Sequence, residues 1–293
     1  MLFRSFADLS LAVIDEQHRF GVHQRMALKG KGSSPDVLIM TATPIPRTIA
    51  LTYYGDLDVV VLDEMPKGRQ PIETMVARTD LERARAEDLV RREVAAGRQA
   101  FVVCAAIDEG NRSEVRAAEA EAERLRTEVF PDLSVALLHG RMRPAEKAAI
   151  MERFRAGDED LLISTTVIEV GVDVPNATVM VIENAEHFGL AQLHQLRGRI
   201  GRGAHDSWCV LVAAKLTDDA RERLKVLEET TDGFAIAEAD LRLRGPGELL
   251  GQAQSGAPQF KFADLTRDLE LAKLARDFVA GQPKVARPAS PPA

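Results

Sequence analysis

From residue 71 onward the chain alternates short aliphatic runs with longer amphipathic ones at close, regular spacing, and this alternation leaves few architectures open. Residues 72–77, 100–104, 135–138, 161–164, 178–182 and 208–212 read as strands, most of them apolar at successive positions, as in strands covered on both faces. Helical patterns lie between them. Asp80 can cap a helix that carries Ala86, Leu89, Val90 and Val94 on one face and stops at Gly97. Ser113 can cap another with Val115, Ala118, Ala122, Leu125 and Val129 on one face, and Pro144 suits the first turn of a third that ends at Gly157. The repetition predicts βαβ units and a mostly parallel sheet of about six strands, a complete α/β lobe.

What precedes this lobe is shorter. Residues 9–14 form an apolar run, expected to be a strand buried on both faces, that ends in Asp15-Glu16-Gln17-His18; residues 37–40 form a second, followed by Thr41-Ala42-Thr43-Pro44. Too few strands stand ahead of the proline- and glycine-bearing stretch 63–71 for a whole doubly wound domain, so the first lobe is expected to be partial. The predicted organisation is a partial lobe over 1–66, a complete lobe over 67–226, a helical hairpin, loop and terminal helix over 227–281, and a proline-rich disordered tail over 282–293. Leu271, Leu274, Ala275 and Phe278 share a face of that terminal helix.

The chemistry sits at particular points. Residues 197–202, Arg-Gly-Arg-Ile-Gly-Arg, place three arginines and two glycines behind a segment whose Leu190, Leu193 and Leu196 recur at helical spacing. Guanidinium forks suit phosphate oxygens, and glycines let the backbone approach a ligand closely, so the stretch is read as offering cations outward to a nucleotide. An acid pair after a strand, as in Asp15-Glu16, suits a nucleotide's magnesium and an attacking water. His139-Gly140-Arg141 and Thr165-Thr166 follow strands and can grip a sugar-phosphate backbone, while Asp173 can accept from a ribose hydroxyl. Taken singly, each has an ordinary reading as a solvated turn, a cap or a strand-end histidine. If the sheet of the complete lobe is parallel, His139-Gly140-Arg141, the run from Thr165 to Asp173 and the arginine stretch are expected on one edge.

Net charge narrows the class. At −7 the protein is not one that coats nucleic acid by bulk attraction, so any such contact must come from local clusters. Cys104 and Cys209 each lie inside an apolar run without metal-ligand spacing and read as buried thiols of a reducing cytoplasm. No apolar run is long enough for a membrane span, and the amino terminus lacks a signal-peptide pattern.

Together these stretches resemble motifs II, III, V and VI of superfamily 2 helicases, in order and approximate spacing: Asp15-Glu16-Gln17-His18, Thr41-Ala42-Thr43-Pro44, the run 165–173, and Gln195-x-x-Gly198-Arg199-x-Gly201-Arg202. Residues 13–22, 41–48, His139-Gly140-Arg141-Met142 and Arg244-Gly245-Pro246-Gly247-Glu248-Leu249-Leu250-Gly251 are most similar to the RecG-type branch-migrating DNA helicases, over about residues 11–268. The resemblance implies RecA-like parallel sheet domains followed by a helical hairpin and loop, and an ATP-dependent DNA helicase of recombination and repair. It implies that Asp15 coordinates Mg2+, that Glu16 activates water, and that His18 couples this strand to the arginines. Gly171, Asp173 and Gln195 would lie beside ATP, Arg199 and Arg202 would stabilise the transferred phosphoryl group, and His139, Arg141 and Thr165 would face DNA. Arg244, with its loop, would turn lobe closure into movement along branched or duplex DNA. The implied protein is a cytoplasmic monomer.

The family's P-loop, G-x-x-x-x-G-K-[ST], has no match here: Gly30-Lys31-Gly32-Ser33 comes nearest, with Arg25 where the first glycine should stand. The family's amino-terminal wedge domain also has no counterpart, so Met1 is expected to be a truncated or misassigned start, and the chain alone inactive. The translocase part of a transcription-repair coupling factor shares the hairpin, although Gln17 and Pro246 favour the RecG type. A non-catalytic DNA-binding fragment is the alternative from another class.

Overall fold

A computed structural model describes residues 9–15, 36–41, 60–62, 70–104, 111–166, 173–214, 216–244, 271, 274–275 and 278. The chain divides into two compact units, Met1–Pro44 and Ile45–Ala293. The boundary expected at 66/67 and the tail over 282–293 lie outside the described residues.

In the first unit β1 (Leu11–Ile14) and β2 (Asp36–Ile39) run parallel, with Leu11 opposite Asp36 and Ile14 opposite Ile39. Burial in β1 alternates: Ala12 and Ile14 are buried, whereas Leu11 and Val13 are 55% and 54% exposed. This corrects the expectation of a strand buried on both faces, because aliphatic content alone does not tell a covered face from an open one. Asp15 follows directly, exposed, at the strand's carboxyl end.

The second unit is built on a six-stranded, wholly parallel sheet. Its strands are β3 (Ile72–Ala77), β4 (Gln99–Cys104), β5 (Val135–Leu138), β6 (Leu161–Ser164), β7 (Ala177–Glu183) and β8 (Ser207–Val212), in the spatial order β3-β8-β7-β4-β6-β5. Three helices connect consecutive strands: α1 (Asp80–Ala95), α2 (Asn111–Arg124, continued by a π turn over Leu125–Val129) and α3 (Pro144–Ala156). Then come α4 (Leu190–Arg197), α5 (Asp218–Glu229) and α6 (Gly233–Arg244).

The pleat sorts each strand between two cores. In β4, Ala100, Val102 and Cys104 pack with Leu89 and Val90 of α1 and Ala118 and Ala122 of α2. Phe101 and Val103 enter the opposite core with Phe154 of α3, Leu193 and Leu196 of α4, Leu224 of α5 and Ile236 of α6. A strand clamped between two helical layers has no polar face to spare, which is why these strands read as continuous apolar runs. Both cysteines are buried free thiols, and burial pushes that of Cys209 up to about 12.

Helix ends follow local chemistry, with two corrections. Thr79, not Asp80, caps α1: its Oγ1 accepts from the Glu82 amide at 3.2 Å while the Glu82 carboxylate accepts from the Thr79 amide at 2.9 Å. Asp80 is the first helical residue, where its charge suits the helix dipole. The helix after β4 already runs from Asn111, so Ser113 lies inside its first turn. Pro144 stands at the start of α3, and Gly157 ends it with φ +84°. Asp232 opens α6, its Oδ1 accepting from the Phe234 amide at 2.9 Å.

Candidate nucleotide and nucleic-acid sites

In a parallel sheet, segments that leave strands lie at the carboxyl edge and segments that enter them lie at the amino edge. His139 and Arg141 leave β5 and Thr165 leaves β6, whereas Asp173 leads into β7 and the arginine stretch leads into β8. The expectation of a single shared edge is therefore wrong. The sheet separates the groups read as DNA-facing from those read as nucleotide-facing.

At the amino edge the path of 198–203 is tightly constrained. Gly201 has φ +70°, and a Cβ there would come within 2.8 Å of the Ile72 side chain at the start of β3. A Cβ on Gly203 would stand 2.5 Å from the Pro175 carbonyl oxygen, which cannot yield as a side chain can. Ile200, fully buried, anchors the loop between its two outer arginines. Arg202 is exposed, its Nη1 donating to Asp173 Oδ1 at 3.2 Å and its Nε to the Gly198 carbonyl at 3.3 Å. Arg199 and Gln195 are half-buried. Two residues 29 apart in sequence, Asp173 and Arg202, are thus brought into one ion pair.

Arg197, the first arginine of the stretch, turns the other way. It is 2% exposed, and its Nη1 donates to Thr74 Oγ1 at 3.1 Å and to the carbonyls of Leu227 and Thr230 at 2.8 and 3.1 Å. Arg197 is therefore not among the outward cations of the stretch: it falls on the face that Leu190 and Leu193 bury, and a charge on an apolar helical stripe is visible in the sequence.

At the carboxyl edge His139 is half-buried, with its Nδ1 closed off and making no hydrogen bond among the described residues; Arg141 is exposed. Thr165 is 1% exposed, and its amide donates to the Leu138 carbonyl at 3.3 Å, so its side chain does not face solvent. Arg244 is the last residue of α6. Glu16, His18, Gly171 and the loop after Arg244 lie outside the described residues, as does the Gly30-Lys31 segment. Among the described residues no cluster of His, Cys, Asp and Glu is arranged to hold a metal.

Sequence reasoning missed a second charged cluster, spread over α1, α2 and the end of β7. Arg83 Nη2 lies 2.8 Å from Glu183 and 3.1 Å from Glu121, and Arg124 Nη2 lies 2.8 Å from Glu121 and 3.0 Å from Glu87. Three carboxylates share two guanidiniums. Burial pushes Glu183 up to about 7, opposed by Arg83 and reinforced by Glu121. A carboxyl raised in the folded state stabilises fully below its unfolded value, and that contribution is lost as pH rises through about 7. Glu183→Gln should therefore raise the melting temperature at pH 8, by an amount corresponding to roughly 2 kcal/mol, and leave it little changed near pH 5. Thermal melts across that range check this; a difference that does not vary with pH would refute the assignment.

The family described as helicase conserved C-terminal domain matches residues 83–204, and that described as ATP-dependent DNA helicase RecG, domain 3, C-terminal, matches residues 230–288. The chain is 58% identical over 273 residues to the ATP-dependent DNA helicase RecG of Synechocystis sp., covering 93% of this chain and 33% of the relative. Over nearly its whole length this chain is similar to a segment of the RecG helicases. To the Thermotoga maritima relative it is 53% identical over 274 residues, covering 94% of this chain and 35% of that one. A structure described as RecG bound to three-way DNA junction superposes with a TM-score of 0.68 at 50% identity, over 92% of this chain and 34% of that one. The DUF1998 helicase MrfA bound to DNA and AMPPNP, at 18% identity, shares the RecA-like fold with a TM-score of 0.54, over 87% of this chain and 41% of that one. The chain thus spans about a third of the length of the first two RecG relatives. Among the described residues no helix is long and apolar enough to cross a membrane.

Proposed function

We propose that this chain is the motor part of a cytoplasmic, monomeric, ATP-dependent DNA helicase that acts on branched DNA in recombination and repair. The observation that carries the reading is the amino-edge constellation: a glycine-threaded loop presents Arg202 to solvent, beside Asp173, with Arg199 two residues from the buried end of α4. Forked cations on a loop that cannot easily move suit the charge that develops on a phosphoryl group in flight. The carboxylate of Asp15, exposed at a strand end, is a hard oxygen donor of the kind Mg2+ takes, and ATP with that ion would supply the phosphoryl group. At the opposite edge Arg141 stands exposed beside His139, and Lys147 Nζ donates to the Gly140 carbonyl at 3.0 Å. Cations placed there suit phosphates of a DNA strand, which position without reading sequence.

Arginine fingers act on phosphates that another element must hold, and positioning carries much of phosphoryl-transfer catalysis. Expressed alone, the 293-residue chain should hydrolyse ATP no faster than background, with or without DNA. Grafted in place of the matching segment of the Thermotoga maritima relative, it should hydrolyse ATP with stimulation by three-way junctions greater than by linear duplex. A steady-state ATPase assay checks both; robust turnover by the isolated chain, or a properly folded graft indifferent to DNA, would overturn the reading.

A further inference from the structure

Arg197 is buried deeply enough that water cannot solvate it, and its Nη1 meets neutral acceptors, a hydroxyl and two carbonyls, while the His194 ring nitrogen Nδ1 lies 3.2 Å from Nη2. Burial pulls the guanidinium below its ordinary value. A buried charge of this kind adds little to stability that well-packed apolar atoms would not, which directs attention to what it joins. Thr74 belongs to β3, Leu227 to the last turn of α5, and Thr230 to the turn from which α6 starts. Leu227 and Thr230 offer carbonyls at a helix end, where intrahelical donors have run out and a cation is favoured by the dipole. The next residue after Arg197 begins the loop that carries Arg199 and Arg202, and α4 itself packs on α5 and α6.

We propose that Arg197 is a positioning residue: its fork locks the arginine loop to the base of the α5–α6 pair, so that Arg199 and Arg202 hold their places only while that pair is seated. This rests on the phosphoryl-facing role argued for those two arginines. Displacement of α6, which ends at Arg244, would then be felt at the loop through one side chain, and the reverse. A mere staple predicts a loss of stability alone.

Arg197→Lys separates the two, since lysine keeps the charge but is shorter and lacks the second terminal nitrogen, so it cannot reach Thr74, Leu227 and Thr230 while also holding the His194 ring from Nη2. In the Thermotoga graft it should lower kcat by roughly ten- to a hundredfold, with ATP affinity within about twofold, and raise the ATP consumed per base pair unwound. In the 293-residue chain it should speed amide exchange across 198–203 and 227–231 together, while β4 and β6 stay protected. Thr74→Val, nearly isosteric, removes one acceptor and should move kcat in the same direction by a smaller factor, which keeps the test open if the lysine variant does not fold. A folded Arg197→Lys protein with a lower melting temperature but unchanged kcat and unchanged ATP per base pair would overturn the proposal, as would Thr74→Val with unaltered kcat if that variant alone folds. A wild-type graft without DNA-stimulated ATPase would sink the functional reading instead, and the paired change in amide exchange would still decide whether the lock exists.

Discussion

Arg202→Ala in the Thermotoga graft should cut ATP turnover by roughly a thousandfold or more while leaving ATP affinity within a few-fold. The argument begins with what holds Arg202 now. Its partners are the Asp173 carboxylate at 3.2 Å and the Gly198 carbonyl at 3.3 Å, with side chains 34% and 64% exposed in the ion pair. An exposed pair of this kind contributes under about 1 kcal/mol, so the guanidinium can leave Asp173 for a phosphate at little cost. Its backbone, by contrast, is fixed by Gly201 at φ +70° and by the close approach of Gly203 to Pro175. A fixed base with a cheaply released tip suits interaction with charge that appears only in the transition state, and removing it should strike kcat rather than binding. Arg199→Ala should behave in the same way. Nucleotide-binding titrations beside single-turnover rates check the split: weaker binding with unchanged saturated turnover would make Arg202 a ground-state contact.

The parts of this architecture that were legible in the sequence are those fixed by local pattern. Strands 72–77, 135–138 and 161–164 coincide with β3, β5 and β6 because aliphatic runs bounded by polar turns have few other uses between two helical layers. Placement around the sheet is implicit in the sequence too. The arginine stretch lies between α4 and β8, and a segment that enters a parallel strand stands at the opposite edge from one that leaves, so the order of elements alone separates Arg202 from His139. Arg197 was hidden differently. Its composition matched its neighbours, and only its position on the Leu190 stripe marked it as inward-facing, while its acceptors come from Thr74, Leu227 and Thr230, which no spacing connects to it. The same holds for Glu183, whose carboxyl is raised chiefly by burial, opposed by Arg83 of one helix and reinforced by Glu121 of another, none of which any spacing connects to it.

Arg244→Ala should leave much of the DNA-stimulated ATP hydrolysis of the graft intact while abolishing unwinding of branched DNA. Arg244 closes α6, and the residues that follow it in sequence, Gly245-Pro246-Gly247-Glu248-Leu249-Leu250-Gly251, carry three glycines and a proline. None of this adjoins a nucleotide motif in sequence. The structure adds a physical route: α6 packs on α4 and α5, and it starts beyond the Thr230 carbonyl that holds Arg197. On the roles proposed above, the terminus of a helix whose base is tied to the arginine loop is well placed to convert a small rotation at the loop into a larger displacement at its far end. Loss of Arg244 would remove the grip at that end without disturbing the base, so hydrolysis should continue with nothing to push. If Arg244 instead only closed the lobe, melting temperature, hydrolysis and unwinding would fall together. If it were a plain phosphate contact, DNA affinity would fall and the salt slope of binding would shrink by about one unit, with hydrolysis at saturating DNA and unwinding per bound molecule both preserved. Parallel measurements of melting temperature, ATP hydrolysis, strand separation and salt-dependent binding distinguish these outcomes, and only a selective loss of strand separation supports the coupling role.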